Sequence, residues 1–484
     1  MELWQLSATE LAAGIRTREF SATEVAESCL RRVEDVNPRL NALVDVRPEE
    51  TLADARRADA AVASGEPLGP LHGVPVSTKI NTPQRGQALT QGVSAMAGVT
   101  ATHDDASVAA LRGAGAVFLG RSNAPAFSVR WFSTNAPHGR TLNPWSDAHT
   151  PGGSSGGAAG SLAAGMTPLA QGNDIGGSIR YPAACCGVVG IRPTVGLISN
   201  WMAPEDMGPE AAPLTFQAWA VQGPLARNVA DARTALHAMA GTDLRDPFGI
   251  PVLPEAAPQA GPIRVGLVRD VGIVKSHPAV DQALDDAARW LDDAGYEVEE
   301  LELPLLAEAA RLWSLLLFED MRPMLPGMLE LGDDALGTHL KYAYEFAAAL
   351  WGDKPDITAY IQGWARRATL ITRLQELLGT DMLLLTPVSA EPPFEQDADI
   401  AGPERGLSVV AAQWPMTSLP VLGFPGVSVP AGTADGLPIG VQLIGGRFTE
   451  DLVLDAAQAI EDRAPRGSPA AALAGQSRDV RPAR

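Results

Sequence analysis

The sequence predicts an α/β fold in which short apolar strands alternate with amphipathic helices. The runs "GVPVSTK" (73–79) and "AVFLGRSN" (116–123) have strand character, and "DDASVAALRGAG" (104–115) between them is typical of a capped helix. Strands that alternate with helices along the chain indicate a sheet covered by helices. With 484 residues, of which 46% are hydrophobic, the chain has enough apolar surface for one large core.

The N-terminal residues predict a helical layer. Ser7 to Glu10 and Ser21 to Glu24 both fit the S-x-x-E capping box, and each precedes a periodic apolar run. The start of the chain carries charges early and has no apolar core of the kind found in signal peptides. No apolar window reaches the roughly 18–20 residues needed to cross a bilayer. We therefore expect a soluble, cytoplasmic protein.

The rest of the chain continues the alternation. Residues 158–170 suit a helix of small side chains, and residues 187–199 suit a strand and turn. Residues 241–263 are rich in Pro, Gly and Asp and predict a surface excursion. Residues 302–370 look helical, and a last helix is expected at 449–462.

Charge and cysteine content exclude some classes of function. The net charge is −20, so the surface repels phosphate backbones and gives no attraction to anionic membranes. The three cysteines, Cys29, Cys185 and Cys186, do not suggest a disulfide framework and are expected to be small buried hydrophobes. The expected partner is a small-molecule substrate, with no nucleic acid and no membrane.

The stretch "TPGGSSGGAAG" (150–160) has three interpretations. A linker is disfavoured because a helix and further α/β pattern follow at once. A phosphate loop is disfavoured because the stretch lacks G-K-[ST]. A nucleophile elbow centred on Ser155 fits G-x-S-x-G, but the residues before it are loop-like. The later histidines His237, His277 and His339 do not lie in glycine-rich turns, so they are poor partners for such an elbow.

A second glycine-serine site and a lysine also have catalytic potential. Gly176 and Gly177 precede Ser178, and two glycines allow backbone N–H groups to converge on one point. A serine beside such amides can attack a carbonyl while they stabilise the oxyanion; the alternative is a tight turn between core elements. Lys79 ends an apolar strand, where it either points to solvent or, if desolvated, acts as a neutral base. Ser–Lys pairs are an established substitute for Ser–His.

Four long segments, in this order, resemble the amidase signature family over nearly the whole chain. They are "LHGVPVSTK" (71–79), "NPWSDAHTPGGSSGGAAGSLAAG" (143–165), "GNDIGGSIRYPAACCGVVGIRPTVG" (172–196) and "GLPIGVQLIGG" (436–446). The resemblance implies a single large α/β/α sandwich, in which helices cover a central mixed β-sheet. It also implies a reaction that needs no metal and no cofactor.

The resemblance implies a role for each residue that matches the family's motifs. Ser178 is the expected nucleophile, Ser154 the proton relay that follows a cis peptide bond, and Lys79 the base. The expected oxyanion hole consists of the N–H groups of Ile175, Gly176, Gly177 and Ser178, and the expected supporting residues are Ser155, Asp174 and Arg180. Because Lys79 must be neutral to act as a base, activity is expected to rise towards alkaline pH.

Some positions depart from the family's pattern. Residues 130–134 align with a polar G-S-S-T-E run of the A-type chain of glutamyl-tRNA amidotransferase, and Trp131 and Phe132 replace small hydroxyls there. Together with Val129, these aromatics predict a bulkier and more apolar pocket, although burial in the core is the alternative. Ile80 and Ala220 stand where family members often carry aspartate, so acid is missing near the site.

We therefore expect an amidase that hydrolyses a small-to-medium aryl or alkyl amide through a Ser178 acyl-enzyme. Esterase and urethanase activity follow from the same chemistry, and a glutamyl-tRNA amidotransferase A-type subunit is the alternative. The expected assembly is a monomer or homodimer. The expected division is a helical layer (1–60), the core with the catalytic triad (61–240), a variable pocket-shaping region (241–400), C-terminal strands and helix (401–464) and a loose tail (465–484).

Overall fold

A computed structural model of the chain describes residues 2–202, 212–250, 262–465 and 467. Its strands are β1 (Leu43–Val46), β2 (Pro75–Lys79), β3 (Val117–Ser122), β4 (Thr134–Asn135), β5 (Gly139–Arg140), β6 (Leu169–Asp174), β7 (Val189–Arg192), β8 (Val221–Ala226), β9 (Arg264–Leu267), β10 (Glu297–Glu300), β11 (Met382–Pro387), β12 (Gly426–Ala434) and β13 (Leu437–Ile444). Its helices are α1 (Ala8–Thr17), α2 (Ala22–Leu40), α3 (Pro48–Ser64), α4 (Ala106–Gly113), α5 (Gly156–Ala163), α6 (Arg180–Cys186), α7 (Leu214–Trp219), α8 (Val229–Met239), α9 (Pro278–Asp293), α10 (Pro304–Met321), α11 (Leu325–Leu331), α12 (Asp334–Trp351), α13 (Ile357–Leu378), α14 (Pro403–Ala412), α15 (Trp414–Leu422) and α16 (Glu450–Glu461).

One large mixed sheet organises the described residues. Eleven of the described strands pair in the order β1-β3-β2-β6-β8-β7-β12-β13-β11-β9-β10, and β4 and β5 pair separately. β2 lies parallel to both β3 and β6, whereas β8, β7, β12 and β13 pair with their neighbours in antiparallel fashion. The predicted fold class, a central mixed sheet covered by helices, is confirmed.

The sheet separates two apolar cores. Along β11, Leu383 and Leu385 join the core that contains side chains of α8, α9 and α16, while Met382 and Leu384 join the core built by α10, α13 and α15. Successive strand residues point to opposite faces, so a strand covered on both sides is apolar at every position. Each large apolar side chain buried in this way contributes about 1.5–3 kcal/mol. None of the described helices is long and apolar enough to cross a bilayer.

Local sequence signals place most elements where the sequence analysis expects them. Both capping boxes form: Ser7 Oγ accepts from the Glu10 N–H at 3.1 Å, and the Glu10 carboxylate accepts from the Ser7 N–H at 2.7 Å. The helix predicted at 158–170 is shorter than expected, because α5 ends at Ala163 and the chain then turns into β6. Residues 251–261 of the expected surface excursion, and almost all of the expected tail, lie outside the described residues.

The topology brings the candidate residues together at one edge of the sheet. β2 and β6 are adjacent and parallel, so their carboxyl ends lie side by side. Lys79 is the last residue of β2, and Asp174 is the last residue of β6. The loop after β6 carries Ser178 and leads into α6, which packs against α5. Sites of α/β proteins commonly form at such carboxyl ends.

Candidate active site

Lys79 is fully buried and faces neutral polar partners. Its Nζ lies 2.7 Å from Ser154 Oγ and 2.7 Å from Asn173 Oδ1, and Asn173 in turn donates to Asn81 Oδ1 at 3.0 Å. Burial lowers the pKa of Lys79 to about 7, although the charge of Asp174 opposes the shift. A lysine with this pKa is largely neutral in weakly alkaline solution, so its amine can accept a proton.

Ser154 lies directly beside this amine. The Gly153–Ser154 peptide bond is cis, as expected, and Ser154 is almost fully buried. A cis peptide before a residue other than proline is rare in proteins and is a specific feature of this segment. The expectation of a cis bond at Gly153–Ser154 is confirmed.

The glycines around Ser154 permit close packing rather than flexibility. A Cβ on Gly153 would lie 2.5 Å from Phe132 N, and a Cβ on Gly157 would lie 2.4 Å from Asn123 N. Real Cβ atoms do not approach backbone atoms so closely. Residues 150–164 are all buried, so this stretch is part of the core and not a linker.

The two candidate nucleophiles differ in access. Ser155 is fully buried, and its Oγ has no hydrogen-bond partner among the residues that the structure describes. Ser178 is 7% exposed and lines a cavity. The Ser155 N–H donates to the Ser178 carbonyl at 3.2 Å, which holds the two segments side by side. A substrate can therefore reach Ser178 but not Ser155, and the nucleophile elbow centred on Ser155 gains no support.

Asp174 and Arg180 form a buried ion pair beneath the Ser178 loop. Arg180 Nε and Nη2 each donate to the Asp174 carboxylate at 3.0 Å, and Arg192 Nη1 lies 3.4 Å from it. Burial alone would raise the pKa of Asp174, but the two guanidinium groups outweigh it and lower the pKa to about 2. Asp174 is thus an anion that ties α6 to the end of β6.

One of the four expected oxyanion donors is engaged elsewhere. The Gly177 N–H donates to Asp174 Oδ1 at 2.9 Å, so it points into the ion pair and not towards an incoming carbonyl. The N–H groups of Ile175, Gly176 and Ser178 have no hydrogen-bond acceptor among the described residues. Of the four expected donors, Ile175, Gly176 and Ser178 therefore keep N–H groups that an incoming carbonyl can engage.

Two tryptophans fix the orientation of this loop. Trp131 Nε1 donates to the Gly176 carbonyl at 2.7 Å, and Trp313 Nε1 donates to the Ile175 carbonyl at 2.9 Å. In a planar trans peptide the C=O and the following N–H point in opposite directions. Anchoring the Ile175 carbonyl on Trp313 therefore turns the Gly176 N–H away from Trp313, and anchoring the Gly176 carbonyl on Trp131 turns the Gly177 N–H towards Asp174.

The cavity next to Ser178 is mainly apolar and aromatic. Its walls include Val129 and, as its aromatic members, Phe127, Trp131, Phe216, Trp313 and Phe318. The expectation that Val129 and Trp131 face the pocket agrees with this arrangement. Phe132 is not among the residues that line the cavity: it is fully buried and stacks on Phe394 with ring centres 6.1 Å apart, which agrees with the alternative of burial in the core. Trp131 and Phe132 belong to the same apolar cluster, but only Trp131 is among the residues that line the cavity.

A family comparison identifies the protein class. The family model described as Amidase matches residues 24–454 of the chain. The chain belongs to the amidase signature family. It is 40% identical over 469 residues to the indoleacetamide hydrolase of Bradyrhizobium diazoefficiens, an alignment that covers 96% of this chain and 87% of that protein. It is also 32% identical to the acylamidase of Rhodococcus erythropolis, over 94% of this chain and 95% of that protein.

Solved structures of amidase signature enzymes share the whole architecture. A bacterial aryl acylamidase of this family superposes with a TM-score of 0.81 at 26% identity, and the match covers 97% of this chain and 99% of that chain. The protein is accordingly an amidase signature hydrolase that acts on the C–N bonds of amides. Among the described residues, no group of three or more His, Cys, Asp or Glu side chains could hold a metal ion.

Sequence reasoning missed several residues of this amidase site. Asn173, which contacts the Lys79 amine, lies inside the recognised 172–196 segment and was detectable as a polar residue next to the expected oxyanion loop. Trp313 and His339 come from α10 and α12, where no motif marks them. Only the three-dimensional packing of these helices against the Ser178 loop brings them to the cavity.

Proposed function

We propose that this amidase hydrolyses small arylalkyl amides, with indole-3-acetamide as a representative substrate. The observation that carries the proposal is the contact between the buried Lys79 amine and Ser154, beside an aromatic cavity that Ser178 lines. An aromatic wall binds an aryl group through apolar burial and ring packing. The similarity to an indoleacetamide hydrolase and to an aryl acylamidase supports an amide substrate that carries an aromatic group.

The proposed reaction is an acyl transfer through a serine ester. Neutral Lys79 accepts a proton from Ser154 while one of its N–H groups still donates to Asn173, and Ser154 accepts the proton of Ser178. Ser178 Oγ forms a bond to the amide carbon, and the relay returns the proton to the departing nitrogen as the C–N bond breaks. Water, deprotonated through the same relay, then attacks the ester and releases the acid.

The loop after β6 would stabilise the oxyanion of both steps. The N–H groups of Ile175, Gly176 and Ser178 are free to converge on the oxygen. The loss of one such donor typically costs about 10²–10³-fold in rate. Asp174 and Arg180 hold the backbone of this loop in place, and the indoles of Trp131 and Trp313 orient its carbonyls.

A hydrolysis screen with the purified single chain tests the proposal. Indole-3-acetamide, anilides, glutamine, aryl esters and aryl carbamates are compared without ATP or partner proteins. We expect kcat/KM for aryl amides to exceed that for glutamine by at least about 100-fold, since glutamine would have to bury its charged groups against apolar walls. Esters and carbamates pass through a similar oxyanion and test the wider substrate range. A marked preference for glutamine would contradict the proposal and favour the role of an amidotransferase component.

The pH dependence tests the role of Lys79 as base. The pKa of this group in the folded protein is about 7, so the neutral amine becomes the major form as the pH rises past that value. We expect kcat/KM for an aryl amide to rise about tenfold per pH unit below pH 6 and to level off above pH 8. The variant His339→Gln serves as control, because it removes the one imidazole among the described residues that line the cavity. If Lys79 is the base, this variant should show the same rise in kcat/KM with pH. A rate that does not change between pH 5 and pH 8 would contradict the assignment.

A further inference from the structure

The cavity wall contains a titratable side chain that the proposed reaction does not use. His339, on α12, is the one titratable side chain among the described residues that line the cavity. It is 5% exposed and packs perpendicular to Trp131, with ring centres 6.2 Å apart and an interplanar angle of 89°. A histidine in an otherwise apolar wall places a hydrogen-bonding group where the acyl group of the substrate would lie.

A buried carboxylate orients this imidazole. His339 Nδ1 lies 3.0 Å from Asp399 Oδ2, and Arg130 donates to both oxygens of Asp399 at 2.7 and 2.8 Å. Burial would raise the pKa of Asp399, but the hydrogen bonds from Arg130 and His339 outweigh it and lower the pKa. Asp399 is therefore an acceptor, and Nδ1 of His339 carries the proton of this contact.

The contact with Asp399 uses Nδ1, so Nε2 is the ring nitrogen that a substrate group can meet. In a neutral imidazole with the proton on Nδ1, Nε2 carries the lone pair. Nδ1 is the nitrogen that contacts Asp399, and His339 itself lines the cavity. An apolar acyl group would bury the Nε2 acceptor without a partner, which costs about 1–3 kcal/mol, whereas a ring N–H would satisfy it.

We propose that His339 is a specificity-determining residue that accepts a hydrogen bond from a donor on the aryl ring of the substrate. The inference rests on the proposed function and narrows its substrate class to arylalkyl amides that carry a ring N–H or O–H. Arg130 and Asp399 act behind His339 as positioning residues, because they fix the ring and its tautomer. Other apolar amides of the same size remain substrates but react less efficiently.

Two amides of similar shape test the inference on the unmodified enzyme. Indole-3-acetamide has a ring N–H, and naphthalene-1-acetamide has none. We expect kcat/KM to be about 10–100-fold higher for indole-3-acetamide than for naphthalene-1-acetamide. A ratio of this size corresponds to the free-energy cost of leaving one buried acceptor without a hydrogen bond. Equal values for the two amides would overturn the inference while leaving the proposed function intact. Hydrolysis of neither amide would overturn both.

Variants at position 339 assign the preference to the imidazole. His339→Leu is expected to remove the preference for indole-3-acetamide over naphthalene-1-acetamide. It should lower kcat/KM for the indole substrate and change kcat/KM for the naphthalene substrate by no more than a few-fold. His339→Gln keeps an amide oxygen as acceptor and should retain part of the preference. Thermal unfolding of each variant checks the fold, and the comparison of two substrates within one variant cancels any general loss of active protein.

Ser128 provides the matched control on the same wall. Its hydroxyl is buried, without a hydrogen-bond partner among the described residues, and the residue also lines the cavity. Ser128→Ala is expected to leave the indole-to-naphthalene ratio unchanged, since Ser128 Oγ has almost no accessible surface. Loss of the preference in Ser128→Ala together with its retention in His339→Leu would overturn the assignment to His339.

Discussion

Replacing Ser178 with alanine is expected to reduce amide hydrolysis by about 10⁴–10⁶-fold, to the background rate. Removal of the nucleophile of a catalytic triad typically has an effect of this size, because no other group can form the covalent intermediate. The substitution removes one oxygen at the edge of the cavity and leaves the Asp174–Arg180 ion pair untouched. The variant should therefore still bind indole-3-acetamide. Its Kd, measured by calorimetry, should be close to the KM that applies when chemistry is slower than substrate dissociation.

Ser155→Ala is the matched control for this substitution. Both changes delete one hydroxyl from the same glycine-rich region, but Ser155 is fully buried and its Oγ has no partner among the described residues. We expect Ser155→Ala to lose far less kcat/KM than Ser178→Ala does. We also expect Ser155→Ala still to form the acyl-enzyme. Undiminished hydrolysis by Ser178→Ala would contradict the proposed mechanism.

Replacing Lys79 with methionine is expected to lower kcat/KM by about 10³-fold or more. The amine is the end of the proposed relay, and general acid–base catalysis typically contributes about 10²–10⁴-fold. Methionine has a similar length and fits an interior site, so the cavity and the oxyanion loop should keep their shape. The residual rate of the variant should also lose the pH dependence between pH 5 and pH 8. Retention of that dependence would show that another group is responsible.

The same variant has a distinct effect on stability. The folded-state pKa of Lys79, about 7, lies below the value of about 10.4 for lysine in an unfolded chain. Between these values the unfolded chain binds a proton that the folded protein does not, so this group makes the free energy of unfolding rise with pH. Methionine lacks this contribution. The free energy of unfolding of Lys79→Met minus that of the wild type is therefore expected to be larger at pH 6 than at pH 9. Denaturant unfolding of both proteins at pH 6 and at pH 9 measures this difference.

The sequence was sufficient for the elements that carry local signals. The strand that ends at Lys79 follows from alternation of apolar residues, and the helix starts at Ser7 and Ser21 follow from capping boxes. The cis peptide at Gly153–Ser154 was predictable because the whole surrounding segment matches a family motif. In these places local preference and tertiary structure agree.

Other features of the site depend on contacts between distant segments. Trp313 and His339 reach the cavity from helices whose sequence shows only an amphipathic pattern, and Asp399 lies 269 residues from its partner Arg130. Phe132 and Trp131 are neighbours in sequence and belong to one apolar cluster, but Trp131 lines the cavity whereas Phe132 stacks on Phe394. The engagement of the Gly177 N–H by Asp174 likewise depends on the orientation of one peptide plane, which no motif encodes.

Covalent trapping tests the central claim, that Ser178 is the nucleophile, most directly. The purified chain is treated with a serine-reactive fluorophosphonate, and the modified residue is identified by peptide mass spectrometry. The proposed mechanism predicts one phosphonyl group per chain, on Ser178, and a labelling rate that Lys79→Met strongly reduces. A label on Ser154 or Ser155, or complete inactivation with Ser178 unmodified, would contradict it.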